Sequence, residues 1–194
     1  MQLSNSIKKS IIASTEIVSQ SVSLVDDVEH TIMAIVKAIK TKHKIILFGN
    51  GGSAADAQHI SAELLGRYKL ERQSYPAFAL TSNSSTTTAL ANDYSYDVIF
   101  SRQCESLVDK NDVVIGISTS GNSTNVHRAL LTSKKLGATT IGLLGNKGGK
   151  ISKSVDISII VNSSNTPHIQ EVHRVIYHII CEQVEQILKK NGKK

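Results

Sequence analysis

Lys44-Ile-Ile-Leu-Phe-Gly-Asn-Gly-Gly-Ser-Ala-Ala-Asp-Ala-Gln-His-Ile-Ser-Ala-Glu63 decides the fold of this 194-residue chain. Ile45, Ile46, Leu47 and Phe48 form an apolar run too continuous for a strand with one face in water, and suit the centre of a parallel sheet covered on both faces. Gly49, Gly51 and Gly52 follow, and without Cβ atoms the backbone can turn sharply and come close to a ligand. The spacing predicts a helix from near Ala54 with Ser53 as its cap, whose free first-turn amides favour a phosphate or a polyol. The loop has no Gly-Lys-Ser/Thr ending and fails Gly-x-Gly-x-x-Gly at the third glycine, so a nucleotide fold is not the default. His59 and Glu63 lie four residues apart on one face of this helix, a spacing that fits either a solvated polar face or a shared ligand or metal ion.

A second unit repeats this layout. Asp112-Val-Val-Ile-Gly-Ile117 leads into Ser118-Thr-Ser-Gly-Asn-Ser123 and a helical stretch from Thr124 to Leu136. One serine is enough to cap a helix, whereas Ser118, Thr119, Ser120 and Ser123 supply four hydroxyls around Gly121. Such a set cradles a phosphate without a lysine or a metal, at about 1.5–3 kcal/mol per hydrogen bond to a charged acceptor. Pro76–Leu80, Thr139–Leu144 and Asp156–Val161 read as three further strands. Helical segments between them, including Asp97 to Leu107, make an open, doubly wound parallel sheet with ligands at the strands' carboxyl ends. The hydroxyl-rich run from Thr81 to Thr88 fits either a ligand contact or a helix cap, and Asn92-Asp93 has the chemistry of a turn.

Two helices precede the sheet between about Gln2 and Lys40. The second carries Val25, Val28, Ile32, Ile35, Val36 and Ile39, an apolar face that suits packing on its own domain or on another subunit. A long helix closes the chain, with Pro167 in its first turn and Ile169, Val172, Ile176, Ile180, Val184 and Ile187 facing a core. Its first half also holds Gln170, Glu171, His173 and His178, and Gln170 and His178 fall within about a quarter turn of each other. A surface role and a ligand role both remain open for these four.

Composition narrows the function. The length suits one domain with a sizeable core. Much of the net charge of +6 comes from Lys8, Lys9, Lys189, Lys190, Lys193 and Lys194 at the ends, which argues for solvated termini rather than a nucleic-acid stripe, and with no Trp and few aromatics a base-stacking platform is not expected. Cys104 and Cys181 lack a Cys-x-x-Cys partner and are expected to be free, buried thiols of a reducing compartment, the cytoplasm. The first residues have neither the pattern of a signal peptide nor an anchor, and no apolar run nears the ~18 residues that cross a bilayer, so no membrane role is expected.

Gly49-Asn-Gly-Gly-Ser-Ala-Ala-Asp-Ala-Gln-His-Ile-Ser-Ala-Glu63, Ala91-Asn-Asp93, Ile117-Ser-Thr-Ser-Gly-Asn-Ser123 and Thr166-Pro-His-Ile-Gln-Glu-Val-His173 resemble, in order and over essentially the whole chain, the motifs of the phosphoheptose isomerases of the sugar isomerase (SIS) superfamily. The resemblance implies an α/β, flavodoxin-like five-stranded parallel sheet over 44–188, helices at 1–40 used in assembly, and a homotetramer. It implies conversion of sedoheptulose 7-phosphate to D-glycero-D-manno-heptose 7-phosphate, toward the heptose of lipopolysaccharide or capsule. It assigns sugar-phosphate contacts to Asn50, Gly51, Gly52, Glu63, Asn92, Asp93, Ser118, Thr119, Ser120, Ser123 and Gln170. It gives one zinc ion per subunit, held by His59, Glu63, Gln170 and His178, with Glu63 and His178 as the acid/base pair.

The residues suit that chemistry. Moving a carbonyl from C2 to C1 needs a carboxylate to take a proton from carbon, a histidine to serve the oxygens and a cation to steady the enediolate, with no redox cofactor. A non-enzymatic SIS protein that binds a replication initiator looks similar, and the presence of both Glu63 and His178 separates this chain from it. The Thr166 to His178 segment likewise favours a heptose isomerase over an N-acetylmuramic acid 6-phosphate etherase.

Overall fold

The computed structural model describes residues 2–191. Lys193 and Lys194 lie outside them, as does the side chain of Lys190, while Lys8, Lys9 and Lys189 are exposed. Five strands, β1 (Ile45–Gly49), β2 (Ala77–Ala79), β3 (Val113–Ser118), β4 (Thr139–Gly145) and β5 (Ile157–Val161), form a parallel sheet in the order β2-β1-β3-β4-β5. This is the flavodoxin-like order, whose direction reverses between β1 and β3. Register places Ile46 beside Val114 and Gly49 beside Ile117, so the loops leaving these two strands emerge side by side.

Among the described residues there are seven α-helices: α1 (Gln2–Gln20), α2 (Val25–Lys40), α3 (Gly52–Leu65), α4 (Ser84–Asp93), α5 (Ser101–Leu107), α6 (Thr124–Lys135) and α7 (Thr166–Asn191). Alternate strand residues feed two cores, as expected for strands buried on both faces. Ile45, Leu47, Val113, Ile115 and Ile117 pack with Ile35 of α2, Leu64 of α3 and Val172 and Ile176 of α7. Ile46, Phe48 and Val114 pack with Cys104 of α5 and Val126 and Leu130 of α6, where Phe48 stacks on Phe100 at 5.1 Å. Both cysteines are free and buried, and burial pushes their thiols up, Cys104 to about 11 and Cys181 to about 12.

Two local expectations are corrected. The helix after β1 starts at Gly52, with Gly51 at the cap position and no side-chain cap bond, and Ser53 is buried inside the first turn. The backbone does the capping work itself, since the Ser53 and Ala54 amides donate to the Asn50 and Gly51 carbonyls at 3.0 Å. The segment Asp97 to Leu107 is not one helix: a 3-10 turn at Tyr96–Val98 precedes α5, and Ile99 and Phe100 turn into the core between them. In the Thr81 to Thr88 run, the capping reading holds in part, because the Asn83 side chain caps α4 by accepting from the Thr86 amide at 3.0 Å.

α1 buries no residue within the chain, and Leu3, Ile7, Ile11 and Ile12 are exposed. Beside it, Val18, Val22, Val25, Ile32, Val175 and Ile179 line an apolar groove of about 530 Å³. α2 therefore has both surfaces: Ile35 and Val36 are in the core, while Val25 and Met33 face out. Among the described residues no helix is long and apolar enough to cross a membrane.

Candidate active site

Two polar loops leave the carboxyl ends of β1 and β3, where the strand order reverses and where a ligand usually sits in an open α/β sheet. α3 runs from that point and carries His59 and Glu63, and α7 crosses it carrying His178. His59 Nε2 lies 3.0 Å from Glu63 Oε1, and one ligand atom from each of His59, Glu63 and His178 falls within 4.8 Å of the others. The two imidazole centroids are 5.2 Å apart. All three residues are half-buried, open enough for a substrate and dry enough for electrostatics to count. Burial first, then the neighbouring His59, hold the His178 imidazole below its ordinary value, so at neutral pH it is uncharged and able to give or accept a proton.

Gln170 sits two turns before His178 on α7 and presses its amide against Gly52, where a Cβ would collide with it. It makes no hydrogen bond to the triad. Gly52, Asp56, Gln170 and Arg174 line a cleft of about 310 Å³ between α3 and α7. The α7 histidines divide. His173 is buried, its Nε2 donates to the Leu144 carbonyl at 3.0 Å, and burial lowers its pKa to about 4, so it fastens α7 to β4 and takes no part in the site. Glu171 is exposed.

The second loop brings its hydroxyls together. Ser118 Oγ is 3.0 Å from Ser123 Oγ and 3.4 Å from Ser120 Oγ, and Ser123 occupies the cap position of α6 without capping it, so its hydroxyl is left for the cluster. Gly121 (φ +67°) has no room for a side chain against the Gly148 carbonyl, and Asn146 Nδ2 donates to the Thr119 carbonyl at 2.9 Å. These contacts fix the loop's shape against the turn after β4.

A contact between the loops was not legible in the sequence. Asn50 and Asn125 exchange reciprocal amide hydrogen bonds at 2.9 Å, and Tyr96 donates to Asn50 Oδ1 at 2.9 Å. Asn125 is buried, so the loop after β1 and the start of α6 are fastened as one unit. Asn92 and Asp93 end α4 and bond each other, Nδ2 to Oδ1 at 2.9 Å; both are exposed and neither touches the triad or the serine loop. The Tyr96 bond ties their segment to the first loop.

Tyr68 supplies another wall, stacking on His178 at 5.8 Å between centroids. It is held by an element the sequence did not mark: Glu185, buried on α7, accepts from the Tyr68, Lys69 and Leu70 amides at 3.0, 2.8 and 2.8 Å and from Arg72 Nε at 2.9 Å. Arg72 in turn donates to the Glu63 and Leu64 carbonyls, satisfying the open end of α3 just beyond the site.

The donors suit a divalent cation. Two imidazoles and a carboxylate are a familiar open set for a metal such as zinc.

Comparison with known proteins agrees with this geometry. Residues 11–145 match the SIS domain family. The chain is 46% identical to a phosphoheptose isomerase of Aliarcobacter butzleri over 96% of this chain and 99% of that one, and 57% identical to one of Geobacter sulfurreducens over 75% and 77%. A solved phosphoheptose isomerase from Francisella tularensis superposes with a TM-score of 0.92 at 31% identity, covering 96% of this chain and all of that one. Identity at that level along nearly the full length, with the same fold around the same sheet reversal, means that the chain belongs to the phosphoheptose isomerase family of SIS-domain proteins.

Proposed function

We propose that this chain isomerises sedoheptulose 7-phosphate to D-glycero-D-manno-heptose 7-phosphate, in the cytoplasm, as a step toward a surface heptose. The observation that carries the reading is the convergence of His59, Glu63 and His178, in a chain that also gathers the hydroxyls of Ser118, Ser120 and Ser123 in one loop. Glu63 takes the C1 proton of the ketose and returns it to C2. Uncharged His178 moves the hydroxyl proton from O1 to O2, so no atom is gained or lost. Ser118, Thr119, Ser120 and Ser123 hold the phosphate, while Asn50, Gly51, Gly52, Asn92, Asp93 and Gln170 face the sugar. His59, Glu63, Gln170 and His178 would hold one zinc ion per subunit, which when bound stabilises negative charge on the reacting oxygens. Incubating purified protein with sedoheptulose 7-phosphate and looking for the aldose tests the reading.

The phosphate role has its own test. Ser118→Ala with Ser120→Ala removes donors that face only the phosphate, so binding of the sugar phosphate should weaken by about a hundredfold or more while the unphosphorylated sugar binds as before. Equal losses in calorimetry for both ligands would give the loop another role.

The assembly we infer is a homotetramer, supported by the exposed Leu3, Ile7, Ile11 and Ile12 of α1 and the apolar groove beside it. Light scattering after size exclusion should return about four times the 21.0 kDa chain mass. A mass near that of a single chain at micromolar concentration would contradict it.

A further inference from the structure

Behind His59 lie two buried polar side chains that the chemistry above does not use. Tyr177 is 1% exposed and Asp56 2%. The Tyr177 hydroxyl oxygen lies 3.0 Å from His59 Nδ1 and 3.4 Å from Asp56 Oδ1, and Arg174 Nη2 donates to the same Asp56 oxygen at 3.2 Å. His59 thus touches Tyr177 with one ring nitrogen and Glu63 with the other.

With His59 neutral, what each group can donate restricts the arrangement to two states. Asp56, paired with Arg174, is a carboxylate and only accepts; Tyr177 has one proton to give; a neutral imidazole has one as well. In the first state Tyr177 donates to Nδ1, the ring proton sits on Nε2, and Nε2–H is spent on Glu63. No lone pair then faces the site. In the second state the Tyr177 proton turns to Asp56, the tyrosine oxygen accepts from Nδ1–H, and the Nε2 lone pair faces the Glu63 carboxylate. Two acceptors 3.0 Å apart repel unless a cation stands between them, so this state belongs to the metal-bound protein.

We propose that Tyr177 and Asp56 are positioning residues that make His59 a metal ligand, the Tyr177 hydroxyl reversing its hydrogen bond from His59 to Asp56 when the ion binds. The inference rests on the metal reading of the His59, Glu63 and His178 cluster. It adds that the cluster's affinity depends on a hydroxyl that never touches the ion. Arg174 pairs with Asp56 from the other side, and burial keeps water from replacing either partner.

The test is a double-mutant cycle on the zinc affinity of the full chain, read by competition with a chromophoric chelator, with circular dichroism of each metal-free variant as a folding control. Tyr177→Phe keeps the ring against His178 and should bind zinc about 10–100-fold more weakly than wild type, the usual cost of losing a partner behind a ligand. Asp56→Asn should also weaken binding. Because Asp56 acts through Tyr177, the double variant should bind within about twofold of Tyr177→Phe alone, whereas independent effects would multiply. Wild-type affinity in Tyr177→Phe, or multiplying losses, overturns the relay and leaves the metal site standing. A wild-type chain that binds no zinc overturns the metal reading itself. Should Tyr177→Phe not fold, Asp56→Asn carries the test alone, and unchanged zinc affinity there overturns the proposal.

Discussion

Replacing Glu63 with Gln is expected to lower turnover of sedoheptulose 7-phosphate by about 10²–10⁴-fold, the range for loss of a general base, while the protein stays folded and still binds the sugar. Gln matches the size and reach of Glu but cannot take a proton from carbon at neutral pH. The site should tolerate the change, since Glu63 is half-buried and its side-chain partner is His59 Nε2, which can donate to a Gln oxygen as well. Glu63 is also a proposed metal ligand, so metal content belongs in the same experiment. Retained metal with a collapsed rate supports the base role, and a wild-type rate in the variant would remove Glu63 from the chemistry.

Glu185→Gln should have the largest effect on stability, costing about 3–5 kcal/mol, as when one partner of a buried ion pair is removed. Glu185 and Arg72 are nearly inaccessible, with side chains 1% and 6% exposed. A Gln offers one acceptor oxygen where the carboxylate offered two, so it leaves amides of Tyr68 to Leu70 unpaired and the guanidinium without its counter-charge. The site should loosen as well, because this clamp holds Tyr68 on His178 and Arg72 on the end of α3.

The clamp also sets a pH dependence. Burial acts to raise the Glu185 carboxyl, but the three amides and Arg72 outweigh it and hold its pKa below the ordinary value. A group depressed on folding contributes stability above its unfolded pKa, near 4.3, and the contribution fades as pH falls through the folded value. Urea midpoints at one fixed chain concentration should therefore fall more steeply with acid in wild type than in Glu185→Gln. Parallel curves, or an unchanged midpoint at neutral pH, would show that the four hydrogen bonds add nothing to the fold.

What the sequence disclosed was local. Ile45 to Phe48 and Val113 to Ile117 announced buried parallel strands with a polar loop after each, because strand burial and loop chemistry are written in neighbouring residues. His59 and Glu63 meet as their four-residue spacing requires. What stayed hidden depends on contacts across the fold. Asn50 meets Asn125 from 75 residues away and His59 meets Tyr177 from 118, and no periodicity encodes such pairs. Their place in the first half of the closing helix grouped His173 with His178, but His173 points to the sheet, where burial keeps it neutral. Glu185 carries no signal in the sequence, and only the return of Tyr68 to Arg72 over it reveals its role.

The central claim is proton transfer between adjacent carbons of a sugar phosphate, and one NMR measurement in D₂O follows it atom by atom. Purified protein supplied with zinc and sedoheptulose 7-phosphate should produce D-glycero-D-manno-heptose 7-phosphate with solvent deuterium at C2, because a proton resting on Glu63 exchanges before it is returned. Glu63→Gln should produce neither the aldose nor the label at a comparable rate. If the wild-type protein leaves the ketose unchanged and unlabelled, it is not an isomerase of this sugar, and a non-enzymatic SIS protein that binds a replication initiator becomes the better description of the chain.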